Sequence, residues 1–270
     1  MTKSGLGSEF NYDGMQVRID GDPGSPVVVL GHALATDLSF WDLQVAVWSR
    51  SFRVVRYDLR GHGRSQAPAG EYGFEQMADD VTGLLDHLNV EYAAYVGLSL
   101  GGMIGQTLAL KSPHRLTALL LAETNARTPD ALKGMWQQRI AGVMTGGMET
   151  QVEGSLARWF TPAFREASPL TVAWITSLIR QTQTAGFIAC CRAIENLDLL
   201  DKLEQVRTPT LVVAGAEDQA APAANLQAIA ARIPGAEFQM IAKAAHLGNI
   251  EQATAFTELV GTFLLSTVAR

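Results

Sequence analysis

The sequence predicts an α/β fold built on a mostly parallel, doubly wound sheet. Short, continuous apolar runs recur along the chain, for example at residues 26–30 and 116–122, as is typical of strands buried on both faces. Segments with apolar residues at helical spacing lie between these runs, and residues 74–88 are the clearest case. Strands that alternate with helices form parallel sheets, whose ligands bind beyond the carboxyl ends of the strands.

The composition favours a globular enzyme. The chain has 270 residues, of which 47% are hydrophobic and 18% charged, enough for one large domain with an inserted substructure. A net charge of -6 without a Lys/Arg run argues against nucleic-acid binding. No apolar run approaches the roughly 18 residues of a membrane-spanning helix, and residues 1–10 lack the apolar stretch of a secretory signal. We therefore expect a cytoplasmic protein that binds neither nucleic acid nor membrane, with Cys190 and Cys191 as reduced thiols.

The other elements are predicted from the same patterns. A hairpin is expected at residues 10–20, with its turn at Asp13 and Gly14. Further strands are expected at residues 52–57, 92–96, 210–214 and 237–241. Further helices are expected after the first apolar run, where Trp41, Leu43, Val45 and Val47 occur, and at residues 221–232 and 249–265.

The alternation of strands and helices stops between about residues 125 and 203. This stretch has helical patterns and no further strand of the sheet, and so long an interruption indicates a substructure rather than a loop. We predict a helical cap over the site, formed by residues 125–203 and inserted between late strands. The core is then formed by residues 1–124 and 204–270.

Residues 97–101 read Gly-Leu-Ser-Leu-Gly and stand between a predicted strand and a predicted helix. This order is that of a nucleophile elbow, in which the serine occupies a very tight turn. Glycine at both ends avoids side-chain atoms that would clash there. The helix that follows directs free N–H groups and the positive end of its dipole toward the serine hydroxyl. Ser99 is therefore the candidate nucleophile, and the alternative is a loop that only joins a strand to a helix.

A serine nucleophile needs an imidazole to take its proton and a carboxylate to hold that imidazole in the correct tautomer. Asp218 and His246 each follow a predicted strand, so both are expected at the same sheet edge as Ser99. The order Ser, Asp, His is that of the α/β-hydrolase fold. Glu217 and Glu123 are competing acids. Structural or surface positions are expected for the other histidines, which are His32, His62, His87 and His114.

The oxyanion of a tetrahedral intermediate needs two N–H donors. One is expected from Leu100, the residue after the nucleophile, and the other from the loop after the first apolar run, where Ala33 is the candidate. No metal-ligand spacing, Walker sequence or dinucleotide-binding Gly-x-Gly-x-x-Gly follows a predicted strand. The predicted chemistry uses neither a metal nor a cofactor.

Several segments resemble 3-oxoadipate enol-lactonases, a family of α/β hydrolases. They span nearly the whole chain and comprise residues 35–38, 60–65, 78–81, 97–103, 158–164, 189–191 and 244–252. The segments at 158–164 and 244–252 say most about the substrate, since the elbow and the Arg-Gly-His-Gly turn are shared by many α/β hydrolases. The family's catalytic serine, aspartate and histidine correspond to Ser99, Asp218 and His246.

The resemblance implies hydrolysis of an unsaturated five-membered lactone that bears an acetate arm, in the catabolism of aromatic compounds. Ser99 would open the ring to an acyl-enzyme, the leaving enol would become a ketone, and water activated by His246 would release 3-oxoadipate. The chain departs from the family at the first oxyanion loop, with His-Ala-Leu-Ala at residues 32–35 where Asn-Ser-Leu-Gly is frequent. Two alternatives stay open: a general carboxylesterase or perhydrolase with the same triad, and a hydrolase-like ligand receptor.

A carboxylate on the substrate would need a cation beneath the cap, because burying an unpaired charge is costly. Arginine suits this role, since its planar guanidinium can bind both carboxylate oxygens. Trp136 and Arg139 stand three apart in a predicted helix, so we expect them to share a face that binds the substrate. The alternative is a Trp packed within the cap and an arginine directed to solvent. The same region also contains Arg127, Arg158, Arg165, Arg180 and Arg192.

Overall fold

Eight strands form a single sheet in the computed structural model, which describes residues 7–268. The strands are β1 (Ser8–Tyr12), β2 (Met15–Asp20), β3 (Val27–Gly31), β4 (Arg53–Tyr57), β5 (Ala93–Leu98), β6 (Leu116–Ala122), β7 (Thr210–Gly215) and β8 (Glu237–Ile241). They stand in the order β1-β2-β4-β3-β5-β6-β7-β8. Pairing is parallel from β4 through to β8 and antiparallel only where β2 meets β1 and β4. The predicted mostly parallel sheet is confirmed.

The middle strands of the sheet are buried on both faces. Every residue of β5 and of β7 is buried, and so is every residue of β6 except Thr117. This burial is what the continuous apolar runs predict, since helices cover both faces of such a sheet. Because β3 to β8 run parallel, their carboxyl ends meet at one edge of the sheet, and the loops that follow them lie together.

Most helices of the described residues lie in the connections between strands, and the last two follow the final strand. They are α1 (Asp42–Trp48), α2 (Phe74–His87), α3 (Leu100–Lys111), α4 (Asp130–Gly146), α5 (Val152–Trp159), α6 (Pro162–Ala167), α7 (Pro169–Gln181), α8 (Thr184–Glu195), α9 (Ala223–Arg232), α10 (Gly248–Glu251) and α11 (Ala253–Val268). The predicted amphipathic helix is α2, whose buried residues include Met77, Val81, Leu84 and Leu85. Within residues 7–268, no helix combines the length and the apolarity needed to cross a membrane.

Helices α4 to α8 lie between β6 and β7, and none of the sheet's strands lies in this part of the chain. They contact loops that follow strands of the sheet. The Gln183 amide donates to the Ser65 carbonyl over 2.7 Å, and the Leu247 N–H donates to the Trp159 carbonyl over 3.1 Å. The insertion thus packs against the carboxyl edge of the sheet. The division into a cap at residues 125–203 and a core on either side stays a prediction.

Two predicted helices differ in detail from the observed ones. In α1, Leu43 and Val47 are 47% and 48% exposed, while Gln44 and Trp48 are buried. Apolar residues two apart cannot all lie on one helix face. Gln44 can be buried because its side-chain amide donates to the Asn249 carbonyl over 2.8 Å.

The predicted last helix is split into α10 and α11, because Gln252 leaves helical geometry with φ -123° and ψ 51°.

The amino-terminal hairpin agrees with its prediction. Strands β1 and β2 pair antiparallel, with Tyr12 opposite Met15. The turn between them uses Asp13 and Gly14, both of which have positive φ. The hairpin extends the sheet at the edge far from β8.

Candidate active site

Ser99 lies at the carboxyl edge of the sheet, between β5 and α3. Its φ of 55° and ψ of -114° belong to a region that residues other than glycine rarely occupy, at a cost of order 1–3 kcal/mol. Surrounding hydrogen bonds hold this conformation: the Ser99 N–H donates to the Ala122 carbonyl over 2.9 Å, and the Thr124 hydroxyl donates to the Ser99 carbonyl over 2.7 Å. The predicted tight turn is confirmed, and the serine side chain is held out beyond the strand ends.

The two glycines of the elbow are required by close backbone approach. A Cβ atom at Gly97 would overlap the carbonyl group of Gly101, and one at Gly101 would overlap the carbonyl group of Gly31. Neither overlap can be relieved by a side-chain rotation, because backbone atoms are involved. The spacing Gly-x-Ser-x-Gly therefore reflects packing of α3 against β3 and β5 as well as the turn itself.

His246 lies within hydrogen-bond distance of this serine, and Asp218 lies within hydrogen-bond distance of His246. The Ser99 Oγ atom is 2.9 Å from His246 Nε2, and His246 Nδ1 is 2.8 Å from Asp218 Oδ2. A carboxylate can only accept, so Nδ1 carries the proton and Nε2 is free to accept the serine hydroxyl hydrogen. The histidine and the aspartate are buried, whereas Ser99 is partly exposed. The three residues are thus arranged as a nucleophile, a base and an orienting acid would be.

The orientation of Asp218 is fixed by its own loop. Its Oδ1 atom accepts the N–H groups of Ala220 and Ala221 over 2.7 and 2.9 Å, which leaves Oδ2 to face the imidazole. Of the competing acids, Glu217 is exposed to solvent, while Glu123 is buried without a hydrogen-bond partner for either carboxylate oxygen among the described residues.

The other histidines occupy the positions expected for structural or surface residues. His87 and His114 are exposed. His32 and His62 are buried with ring centres 5.5 Å apart, and burial lowers their pKa values to about 4 and about 3. Both rings are therefore neutral at physiological pH.

His32 organises the loop after β3, a role that the sequence did not reveal. Its Nε2 atom accepts the Leu59 N–H over 2.9 Å, and its Nδ1 atom donates to the Ala33 carbonyl over 2.8 Å. The Thr36 hydroxyl donates to the same carbonyl, and the His32 carbonyl accepts the Gly101 N–H over 3.1 Å. These bonds tie the loop to the elbow on one side and to the loop after β4 on the other.

The N–H groups of Ala33 and Leu100 are the two predicted oxyanion donors. Within residues 7–268, neither donates a hydrogen bond to a backbone or side-chain acceptor. Leu100 is the first residue of α3, where an intrahelical acceptor is lacking in any case. The residue after the nucleophile therefore has a free donor at the positive end of a helix dipole.

Arg139 on α4 is a partly buried cation without a carboxylate within 4.0 Å among the described residues. Its guanidinium carbon is 4.8 Å from the ring centre of Trp136 and 5.3 Å from that of Phe187, and its Nε donates to Gln151 over 2.9 Å. Burial lowers its pKa to about 10. The predicted pair is in contact, and the guanidinium packs against aromatic rings while the residue stays partly exposed. Phe187 on α8 and Gln151, which follows α4, also contact the Arg139 side chain.

Most other arginines of the insertion are paired at the surface. Arg127 binds Asp198 and Asp201, Arg165 binds Glu153, and Arg180 binds Glu149. Arg192 is exposed. Arg158 is half-buried, and its burial lowers its pKa. Among these arginines, only Arg139 has its guanidinium packed against aromatic rings within the described residues.

Glu251 is a further buried acid that sequence analysis did not single out. Its carboxylate accepts the Ala245 N–H over 2.8 Å and the Thr161 N–H over 3.1 Å, and it also binds the Thr161 hydroxyl. The loop that carries His246 is thus joined to the amino end of α6. No group of three or more His, Cys, Asp or Glu side chains in residues 7–268 is arranged to hold a metal ion.

Comparison with known proteins agrees with this geometry. Residues 26–253 match the alpha/beta hydrolase fold family. The chain belongs to the α/β-hydrolase family. It is 35% identical over 240 residues to 3-oxoadipate enol-lactonase 2 of Acinetobacter baylyi, with 89% of each chain covered. The predicted fold class, the prediction of an enzyme and the resemblance to 3-oxoadipate enol-lactonases are confirmed.

Solved structures of this family superpose closely. The enol-lactonase from Burkholderia xenovorans LB400 is 38% identical, with a TM-score of 0.90 over 95% of this chain and 99% of that one. A thermophilic esterase from Thermogutta terrifontis is 27% identical, with a TM-score of 0.88 over 98% of this chain and 100% of that one. Both a lactonase and an esterase are therefore similar to this α/β hydrolase.

Proposed function

We propose that this α/β hydrolase opens a small lactone through an acyl-enzyme on Ser99, and that the lactone is 3-oxoadipate enol-lactone. The observation that carries the proposal is the hydrogen-bonded series of Ser99, His246 and Asp218, in a chain 35% identical to a 3-oxoadipate enol-lactonase. The enol-lactonase and esterase structures similar to it support lactone or ester hydrolysis as the reaction class. The product would be 3-oxoadipate.

In the first half of the reaction, His246 Nε2 accepts the Ser99 proton while the serine oxygen attacks the lactone carbonyl carbon. Asp218 stabilises the imidazolium, since its Oδ2 faces the Nδ1–H at 2.8 Å. The carbonyl oxygen becomes negatively charged and accepts the N–H groups of Ala33 and Leu100. In a comparable serine hydrolase, removal of one such donor costs about 10²–10³ in kcat.

Ring opening follows when the bond between the carbonyl carbon and the ring oxygen breaks. The ring oxygen takes the proton from His246 and leaves as an enol, which stays attached to the acyl chain on Ser99. Conversion of this enol to a ketone disfavours closure of the ring. Water then gives a proton to His246 and attacks the acyl carbonyl carbon. The second tetrahedral intermediate then collapses: the bond between the acyl carbon and the Ser99 oxygen breaks, His246 returns the proton to that oxygen, and 3-oxoadipate is released.

The carboxylate of the acetate arm would bind Arg139. A partly buried guanidinium packed against aromatic rings has lost some of its water, so pairing with a carboxylate recovers electrostatic stabilisation that solvent does not fully supply. Trp136 and Phe187 lie against the guanidinium and restrict where the arm can enter. This arrangement supports a substrate with a free carboxylate in preference to a neutral ester.

The second candidate is a general carboxylesterase or perhydrolase with the same triad, which the similar thermophilic esterase favours. Steady-state kinetics with the enol-lactone, a neutral five-membered lactone and a short aryl ester tests the proposal. We expect kcat/KM for the enol-lactone to exceed the others by at least about a hundredfold, which is about 2.7 kcal/mol of transition-state binding. A higher value for the aryl ester would favour the second candidate. Ser99→Ala serves as the control for contaminating activity.

A further inference from the structure

Gln151 is a buried amide that holds the Arg139 side chain of the proposed carboxylate site. It is the last residue of a short 3-10 helix, Met148–Gln151, which lies between α4 and α5. Its Oε1 atom accepts the Arg139 Nε–H over 2.9 Å. Its Nε2 atom donates to the Arg139 carbonyl over 3.3 Å and to the Thr150 hydroxyl oxygen over 3.1 Å. One side chain therefore binds both the guanidinium and the backbone of the same arginine.

The orientation of this amide follows from its neighbours. Its nitrogen faces two oxygen atoms and its oxygen faces an N–H group, so rotation by 180° would set like groups against each other. The Thr150 hydroxyl donates to the Gly147 carbonyl over 2.8 Å, which leaves its oxygen to accept from Gln151. The amide oxygen is thus fixed toward Arg139.

The bond to Nε leaves the other edge of the guanidinium for a ligand. The Nη1 and Nη2 atoms of Arg139 have no acceptor among residues 7–268. The rings of Trp136 and Phe187 lie against the guanidinium and restrain its plane, while the bond to Gln151 restrains its rotation within that plane. A guanidinium held in this way can bind both oxygens of a carboxylate through parallel N–H groups.

The same short helix binds a second arginine in a different way. The Glu149 carboxylate accepts the Nε–H of Arg180 over 2.6 Å and an Nη2–H over 2.7 Å. That pair is exposed, and the carboxylate neutralises the guanidinium. Gln151 carries no charge and accepts from Nε alone. Arg139 therefore keeps its positive charge and both of its Nη groups, whereas Arg180 does not.

We infer that Gln151 is a positioning residue that determines specificity: its neutral amide fixes the Arg139 guanidinium by Nε and leaves the positive charge and both Nη groups to a substrate carboxylate. The inference rests on the proposed function, in which Arg139 binds the carboxylate of the acetate arm. Gln151 acts through Arg139 and does not touch the substrate. A glutamate in its place would pair with Arg139, and the substrate carboxylate would then meet a like charge.

The test compares KM for the carboxylated lactone with KM for a neutral five-membered lactone, expressed as the ratio of the first to the second. Gln151→Glu keeps the size of the side chain and adds a negative charge beside Arg139. We expect the ratio to rise about tenfold or more, since juxtaposed like charges repel strongly and partial exposure weakens the effect. Gln138→Glu is the matched control, because Gln138 is exposed and precedes Arg139 on α4. Its ratio should change less than about twofold.

A second variant separates the anchoring role from the charge. Gln151→Met keeps a side chain of similar length and removes the hydrogen bonds without adding a charge. We expect the KM ratio to rise about three- to tenfold, because the freed guanidinium loses rotamer entropy when it binds the carboxylate. In Arg139→Ala the same Gln151→Met change should have no further effect, since nothing is left to position. Thermal unfolding of each variant checks that the fold is retained.

The outcomes distinguish this inference from the proposed function. If Arg139→Ala raises the KM ratio but Gln151→Glu raises it no more than Gln138→Glu does, the role of Gln151 is wrong and Arg139 remains the carboxylate partner. An equal effect of Gln151→Met with and without Arg139 would also overturn the inference, independently of the glutamate variant. If Arg139→Ala leaves the ratio unchanged, the proposed carboxylate site is wrong and the inference falls with it.

Discussion

Replacing Gly61 with alanine should loosen the contact between the insertion and the core. Gly61 has a φ of +74°, and a Cβ atom there would overlap the backbone of Gly186, in the first turn of α8. The positive φ costs alanine about 1–2 kcal/mol, and forcing a methyl group into packed backbone costs about 1–3 kcal/mol. The sum of about 2–5 kcal/mol corresponds to a fall in Tm of roughly 4–10 °C for a chain of this size.

Two matched variants separate these contributions. Gly70 has a φ of +110° and no atom within 4 Å of an added Cβ, so Gly70→Ala carries the backbone cost alone. Gly186→Ala meets the same Gly61 backbone without a positive φ, and its packing cost is offset by the roughly 0.5–1 kcal/mol that alanine gains in a helix. Thermal unfolding followed by circular dichroism should rank Gly61→Ala as the most destabilised of the three.

The Gly61 contact should also influence substrate binding. Phe187 follows Gly186 on α8 and lies 5.3 Å from the Arg139 guanidinium, so displacement of α8 disturbs the proposed carboxylate site. We expect KM for the carboxylated lactone to rise in Gly61→Ala and Gly186→Ala but not in Gly70→Ala. The reasoning is refuted if Gly61→Ala is no less stable than Gly70→Ala and has the same KM.

Three further predictions concern the site. Arg139→Ala should raise KM for the carboxylated lactone about 30-fold or more, as loss of a buried charge partner costs about 2 kcal/mol or more, and equal effects on a neutral lactone would exclude carboxylate binding. Asp218→Asn should lower kcat at least about a hundredfold through the wrong imidazole tautomer, whereas Glu217→Gln should change it little; the reverse ranking would make Glu217 the acid. The pKa of His32 is lowered to about 4, so its contribution to stability is present above pH 6.5 and lost as the pH falls toward 4. Between pH 6.5 and 4, the free energy of unfolding measured with denaturant should therefore fall less for His32→Asn than for the wild type. Equal falls for the two proteins would contradict a buried neutral ring.

The features of the fold that depend on local pattern could be predicted from the sequence. Buried strands such as β6 and β7 could be predicted because a short run of consecutive apolar residues is typical of a strand that is covered on both faces. The location of Asp218 and His246 beside Ser99 could be predicted because residues that follow parallel strands meet at one edge of the sheet. The buried face of α1 could not be predicted, because burial of Gln44 depends on the carbonyl of Asn249, more than two hundred residues away.

The surroundings of the site depended on contacts that no local pattern encodes. His32 could be placed near the oxyanion loop, but its bond to the Leu59 N–H needs the register between β3 and β4. The pair Trp136 and Arg139 followed from helical spacing, whereas the third partner, Phe187, comes from α8. The burial of Glu123 depends on packing of β6 against the loop after β8, which sequence spacing does not specify.

Covalent labelling of Ser99 during turnover tests the central claim most directly. The protein is mixed with the lactone or with an aryl ester, quenched in acid within a turnover, and examined by intact mass and peptide mass spectrometry. We expect an acyl adduct on the peptide that contains Ser99, no adduct in Ser99→Ala, and a kcat for that variant lower by about 10⁴ or more. An adduct on another residue, or a Ser99→Ala variant that keeps a tenth of the wild-type kcat, would contradict the assignment of Ser99 as the nucleophile.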